Sequence, residues 1–400
     1  MTTAPPSPNR SLVAALVLCT VGVTMFMIVP VFLGALVQHR SFSNSQVGIL
    51  ASIELAGASF AAVGAALWLP RVSWRWVSAA ALLVAAVGAW LSAVITDFTG
   101  LVLLRFLTAF FGLGVVYALG MALVSRTDKP ERNFGLVTVS QVLYSALALF
   151  TIPKWLEQWG MIGIAAPMTA LALAGLLVVR WLPEGGGQGE PTPSRNGTGD
   201  AGPKASRSWP AMAGLGILAL WYVGVGALWA FVELIGTSAG LEARAVGDAL
   251  AIATLASLAG ALLATWLGDR LGRKWPFAIA VALQVAMMPL FIQPSGWGIY
   301  LTAAIAFSAT WNFAGPYLLG FIATSDETGR MSAIIPAAQG LGVGLGPIIG
   351  GVLADSRGLP AVVYLAAAVC LVAVGIFIPL VTRARAVVRP DPDLVAGPTR

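Results

Sequence analysis

Glu54, Arg105 and Glu233 each interrupt a long apolar stretch of the chain. A charge near the centre of a membrane helix costs ~3 kcal/mol on insertion scales, and less toward an interface, so each needs a partner, a wet cavity or a bound proton. A carboxylate in a low-dielectric site holds its proton more tightly, and a nearby guanidinium loosens it again; an Arg that changes partner can therefore load and release a proton. Glu54 beside Arg105 is the first candidate for such a pair, with Glu233 facing them from the other half of the chain. A second concentration of charge is "WLGDRLGRK", Trp266–Lys274, which puts four charges into nine residues of a chain that is 10% charged. Enzymatic chemistry finds no matching parts. The sole histidine, His39, lies in a break between apolar runs, Cys19 and Cys370 sit inside runs near opposite ends, no carboxylate or His cluster has metal spacing, and no Ser or Cys nucleophile has a base beside it. The sequence therefore reads as a non-enzyme and implies no cofactor and no metal.

The elements that must position these charges are membrane helices. With 58% hydrophobic residues over 400 and a mean hydropathy of +0.86, most of the surface is meant for lipid. Crossing the hydrocarbon takes roughly 20 helical residues, with every backbone group satisfied inside the segment. Twelve such runs are predicted, at 11–37, 46–69, 76–95, 100–124, 134–153, 161–182, 210–235, 245–267, 276–293, 297–323, 332–354 and 360–382. The first is too long for a signal-peptide core and is read as a retained helix. Between runs six and seven lies the Gly-, Pro- and Ser-rich stretch "PEGGGQGEPTPSRNGTGDAGPKASRSW", with the composition of a flexible linker. The expected organisation is an all-α integral membrane protein: a six-helix bundle over 1–182, a linker over 183–209, a second bundle over 210–382 and a tail over 383–400. Of the 23 Lys and Arg, only Arg40, Lys154, Arg244 and Arg357 fall in odd-numbered loops and Arg105 within a run; the rest mark the termini and even-numbered loops. The positive-inside rule then puts both termini, the linker and "GDRLGRK" in the cytoplasm, the setting of a bacterial inner membrane. In that setting the net charge of +6 reports orientation, and no nucleic-acid partner is expected.

The halves echo each other. At an offset of 199, Gly48 pairs with Gly247 and Arg71 with Arg270; at 200, "YALGMALVS" pairs with "YLLGFIATS". Two parallel six-helix repeats place a binding site at their interface near the bilayer midplane. "GDRLGRK" resembles the cytoplasmic loop signature of the major facilitator superfamily, roughly G-x-x-x-D-R-x-G-R-K, and matches its fixed positions at Asp269, Arg270, Gly272, Arg273 and Lys274. The resemblance implies twelve helices, and an aspartate that braces one half against the other when the cytoplasmic mouth is closed. "DKPERNFG" is similar to the family's P-E-R-x-x-x-G loop, and Arg132 is the nearest candidate cation for that brace. The first half departs from the signature: "LPRVSWRW" has Pro70 in place of the aspartate, Ser73 in place of the glycine and Trp74 in place of an arginine. The cytoplasmic gate is therefore expected to be braced asymmetrically, through Asp269. "RFLTAFFGLG" resembles the family's fourth-helix signature, whose arginine is linked to proton coupling, although Thr108 and Ala109 replace the usual Gln and Gly.

The expected cavity wall comprises Trp221, Tyr222 and Trp229 from run seven, Asn312 and Tyr317 from run ten, Gln141 and Tyr144 from run five and Gln339 from run eleven. Amides and hydroxyls orient a ligand while rings supply apolar contact. In "GLGVGLGPIIGG" of run eleven, Gly342, Gly346 and Gly350 recur every fourth residue and would admit a close helix neighbour, with Pro347 marking a bend. It resembles the family's exporter element, but that element belongs in helix five, where "SQVLYSALALFTIP" lacks it. The sequence thus leads to a monomeric secondary active transporter of a small organic solute, proton-coupled and working by alternating access. Drug or metabolite efflux by proton antiport, and a transporter-derived uniporter or receptor without coupling, are the alternatives. The cavity residues suit an amphipathic or aromatic molecule better than a bare sugar.

Overall fold

The computed structural model describes residues 8–182, 209–325 and 330–388. The first half contains α1 (Pro8–Arg40), α2 (Asn44–Trp68), α3 (Trp74–Val94), α4 (Phe98–Ser125), α5 (Pro130–Trp159) and α6 (Ile162–Val179). The second contains α7 (Trp209–Ser238), α8 (Ala243–Leu267), α9 (Lys274–Phe291, its last turn 3-10), α10 (Trp297–Ser325), α11 (Arg330–Arg357) and α12 (Pro360–Val388). All twelve expected runs fall on these helices, while residues 183–208 of the expected linker and the part of the expected tail beyond 388 lie outside the described residues. Eleven of the helices are long and apolar enough to cross a bilayer; α10, which carries Thr310, Trp311 and Asn312 near its centre, is the remaining one.

Three helix pairs join the halves: α1 with α7, α2 with α11 and α5 with α8. Adding six to each number turns α2 into α8 and α5 into α11, so the last two pairs are images of each other under the pseudo-twofold that the sequence offsets imply. Small residues allow the close approach on which helix association in lipid depends. A Cβ on Gly48 of α2 would collide with the Pro347 carbonyl of α11, and one on Gly247 of α8 would come within 2.6 Å of the Leu149 carbonyl of α5. Inside the second half, Gly342, Gly346 and Gly350 of α11 lie against Ala219, Ala227 and Phe231 of α7, the packing role their spacing predicts, and α11 stays helical through Pro347.

α4 is α-helical to Thr108, passes through a π turn at Ala109–Leu113 and resumes at Gly114. Inserted π turns concentrate where a helix must re-aim side chains. Here the turn follows Arg105 directly and nests between α2 and α3, where Gly57, Gly112 and Gly114 bring backbones together. The departed loop of the first half forms a 3-10 turn, Leu69–Arg71. In place of an ionic brace, Trp74 is buried, donates its indole N–H to the Leu69 carbonyl at 3.0 Å and carries the Arg126 guanidinium 4.5 Å above its ring.

Candidate functional site

The helix directions give the bundle a basic end, holding Arg71, Arg126 and the Asp269 loop, and a far end, holding Arg40 and Asp355. Between them, a cavity of about 210 Å³ is walled by both halves. The first half contributes Phe26 and Met27 from α1 and Thr138, Gln141, Val142 and Ser145 from α5; the second contributes Trp229 from α7, Thr254 and Ser257 from α8, and Ser308, Trp311 and Asn312 from α10. No lining residue carries a formal charge. Its polar groups are oriented by the backbone: Asn312 Nδ2 donates to Ser308 O at 3.1 Å, Ser145 Oγ to Met27 O at 3.1 Å and Gln141 Nε2 to Cys19 O at 3.4 Å. Trp229 Nε1 donates across the halves to Phe26 O at 3.1 Å, and its ring lies 6.4 Å from that of Trp311. The amide oxygens of Gln141 and Asn312 and the two indole faces are what this wall offers a ligand.

Three of the eight expected cavity residues, Gln141, Trp229 and Asn312, thus share one cavity. Tyr222 and Gln339 stand behind it: Gln339 Nε2 donates to the Tyr222 hydroxyl at 2.8 Å, and Tyr222 meets Trp311 edge to face at 6.1 Å. Trp221 turns the other way, into the core of the second half, fully buried against Phe277 with its N–H 3.4 Å from Gln284 Oε1. Tyr144 packs into the core, and Tyr317 is buried beside Phe313 at 5.2 Å; neither lines the cavity. Trp311, Phe26 and the hydroxyl row Thr254, Ser257 and Ser308 were not singled out in the sequence, though Trp311 adjoins Asn312.

Arg105 donates to both carboxylate oxygens of Glu54, with Nε 3.1 Å from Oε2, and its Nη1 lies 3.3 Å from Ser92 Oγ. Both charged residues are buried, at 1% and 6% exposure, with Phe32 of α1 5.7 Å from the guanidinium. The pair lies inside the first half, away from the central cavity. Glu233 is also buried, at 3%, but belongs to the α1–α7 joint, where its carboxyl presses on the Cα of Gly34. Gln38 is its hydrogen-bonding neighbour, and Oε2 has no partner among the described residues. Phe32 and Gly34 are two residues apart, so they point to nearly opposite sides of a 3.6-residue helix. The structure therefore separates what the sequence reading placed face to face, with α1 standing between Glu233 and the Glu54–Arg105 pair.

The far end is held shut across the halves. Asp355, at the end of α11, accepts hydrogen bonds from Asn44 N at 3.0 Å, Asn44 Nδ2 at 2.9 Å and Ser45 N at 2.8 Å, covering the amides that the first turn of α2 leaves unpaired. On the symmetry-related side, Lys154 of α5 and Asp248 of α8 form an ion pair at 3.5 Å. Among the described residues, no side-chain hydrogen bond or ion pair joins the halves at the basic end. Asp269 and Arg132 are both exposed, and no side-chain hydrogen bond or ion pair joins them among the described residues. Gly268 and Gly272 take positive φ, 54° and 65°, which the turn requires. The loop cations bond within their own half, Arg273 to Thr324 Oγ1 at 2.5 Å and Lys274 to Thr382 Oγ1 at 3.0 Å, while Arg270 lies over Trp266.

Residues 214–397 match the family model described as Major Facilitator Superfamily. That match spans just under half of the chain, so the second half is similar to the superfamily's sequence pattern. Among solved structures, the nucleoside transporter NupG is 13% identical, with a TM-score of 0.75 over 94% of this chain and 98% of that one. A D-xylose-proton symporter is 14% identical, with a TM-score of 0.71 over 92% and 96%. A bacterial homolog of the human lysosomal transporter Spinster, inward-facing and occupied, is 15% identical, with a TM-score of 0.69 over 98% and 100%. At such identities these likenesses show a shared fold. A comparison with curated protein sequences finds no match. The structural neighbours are transporters by their descriptions, and this chain is an integral membrane protein of the same fold.

Proposed function

We propose that this chain is a proton-coupled secondary transporter that carries a small, uncharged, amphipathic or aromatic solute through the cavity between its halves. The observation that carries this reading is the cavity itself: walled by both bundles, lined without a formal charge, and sealed at one end by Asp355–Asn44 and Lys154–Asp248. On this reading the basic end faces the cytoplasm, and the closed far end makes the state an inward-facing one. Likeness to a nucleoside transporter and a D-xylose-proton symporter supports a small organic solute, and the latter supports proton coupling. Glu54, Arg105 and Glu233 form the coupling set. Glu233 is the group that separation of α1 from α7 would expose to water, whereas Glu54 and Arg105 lie in the body of the first half.

A second reading, transport without coupling, draws on the doubly bonded and buried Glu54–Arg105 pair, neither member of which lines the central cavity. Proteoliposomes with an imposed pH gradient separate the two. A panel of uncharged aromatic and sugar-bearing solutes should contain one whose flux follows the gradient in the parent and loses that dependence in Glu233→Gln or Glu54→Gln. Flux that follows the gradient in both variants would remove these carboxyls from coupling; absence of flux for the entire panel in the parent, with Trp311→Ala and Asn312→Ala unchanged, would remove the transport assignment to this cavity.

A further inference from the structure

A second large hollow lies on the lipid-facing side of the first half, toward the basic end. Its volume is about 640 Å³, three times that of the central cavity, and its lining is almost wholly apolar. Phe60 of α2 and Phe111 of α4 project as exposed rims, while the floor is made of small residues such as Ala61, Gly64 and Ala80. A Cβ on Gly64 would meet nothing within 4 Å, so the trough is open where a side chain would ordinarily fill it. At the basic end the hollow is closed by Trp68 and Val72, which flank the turn Leu69–Arg71.

That turn is the copy of the loop signature that has lost its aspartate. In the second half, Asp269 stays beside Arg270 and Arg273; in the first, the position is Pro70, and the loop and its surroundings keep Arg71, Arg75 and Arg126. Arg71 is exposed, with Nη1 donating to the Leu67 carbonyl, and Arg75 donates to the Leu182 carbonyl at 2.6 Å. The neighbouring turn adds Asp128 and Lys129, whose charges cancel. An apolar trough large enough for an acyl chain thus ends beside Arg71, whose loop carries Pro70 where the signature has its aspartate. A cationic cluster at that level attracts anionic headgroups, and an extended trough below it selects a lipid over a soluble anion.

We propose that this hollow is a binding site for one anionic phospholipid, its acyl chain lying against Gly64 between Phe60 and Phe111 and its phosphate facing Arg71. The loss of the loop aspartate and the absence of a side chain at Gly64 then have a common cause. The test is native mass spectrometry of the full chain, delipidated in detergent and offered phosphatidylglycerol, phosphatidylethanolamine and phosphatidylcholine of identical chains. One phosphatidylglycerol should be retained in preference to phosphatidylcholine. Arg71→Gln should reduce that preference by about fivefold, the effect of one basic residue at an anionic surface, without altering phosphatidylcholine retention. Gly64→Leu, which fills open space, should lower retention of all three lipids with an unchanged melting temperature. Equal retention of phosphatidylglycerol and phosphatidylcholine by the parent would overturn the proposal. So would parent-like retention by both variants, or displacement of lipid from the hollow by a second copy of the chain.

Discussion

Arg105 and Glu54 neutralise each other where neither could stand alone. Removing one member of a buried pair leaves an uncompensated charge at a cost of about 3–5 kcal/mol, whereas replacing both by groups of similar volume can be nearly neutral. Glu54→Gln and Arg105→Met should each lower the melting temperature in detergent sharply, and the double variant should recover much of the loss; strictly additive losses would show that the pair is not coupled. Gly34→Ala is predicted to act differently, because its Cβ would occupy the position of the Glu233 carboxyl. It should prevent α1 and α7 from seating and raise labelling of cavity cysteines from the far side, and labelling unchanged from the parent would argue against the joint. The Glu54–Arg105 pair was legible in the sequence because charge in an apolar run demands a partner. Trp221 was misread as a wall residue because it adjoins Tyr222: one position along α7 turns a side chain by about 100°, so Tyr222 meets Trp311 while Trp221 turns to Phe277.

At the scale of helices, closure of the far end rests on terminal amides and on backbone contact at glycines. Asp355 caps α2 from a position 311 residues away from Asn44. That latch was invisible in the sequence, since the groups it captures are main-chain N–H groups common to every residue type. Losing an N-terminal cap costs roughly 0.5–2 kcal/mol, so Asp355→Ala should shift the population toward far-open states by about two- to thirtyfold, read as faster labelling of a cysteine at Ser257 by an impermeant reagent added on that side. An unchanged rate would remove Asp355 from the gate. Asp269, exposed here, should matter only in the opposite state. Asp269→Asn is expected to raise labelling from the basic end without changing thermal stability, and equal labelling would leave the loop a solvated turn. The loop signature showed which residues make this turn, but a single sequence does not state which of two conformations it serves.

For the molecule as a whole, apolar length and the polar, Gly- and Pro-rich break between runs six and seven were enough to read twelve helices and two halves, because bilayer thickness dictates the first and a stretch with nothing to bury marks the second. The cavity was legible only in part. Gln141, Trp229 and Asn312 carry polar edges inside apolar runs, but the Ser and Thr that complete the wall also occur throughout the packed helices as local backbone hydrogen-bonders, such as Thr302 to Gly298 and Thr382 to Ile378. The central claim is that the two bundles pivot about this cavity, so that closing one mouth opens the other. Electron spin resonance distances between labels at Thr96→Cys and Ser295→Cys, across the far end, and at Ser125→Cys and Thr265→Cys, across the basic end, test it most directly. They should be compared in the parent and in Gly48→Val, whose side chain would collide with Pro347 and hold the far end apart. Pivoting predicts that the variant lengthens the far-end distance and shortens the basic-end one. A far-end distance that lengthens while the basic-end distance stays fixed or also grows would contradict it.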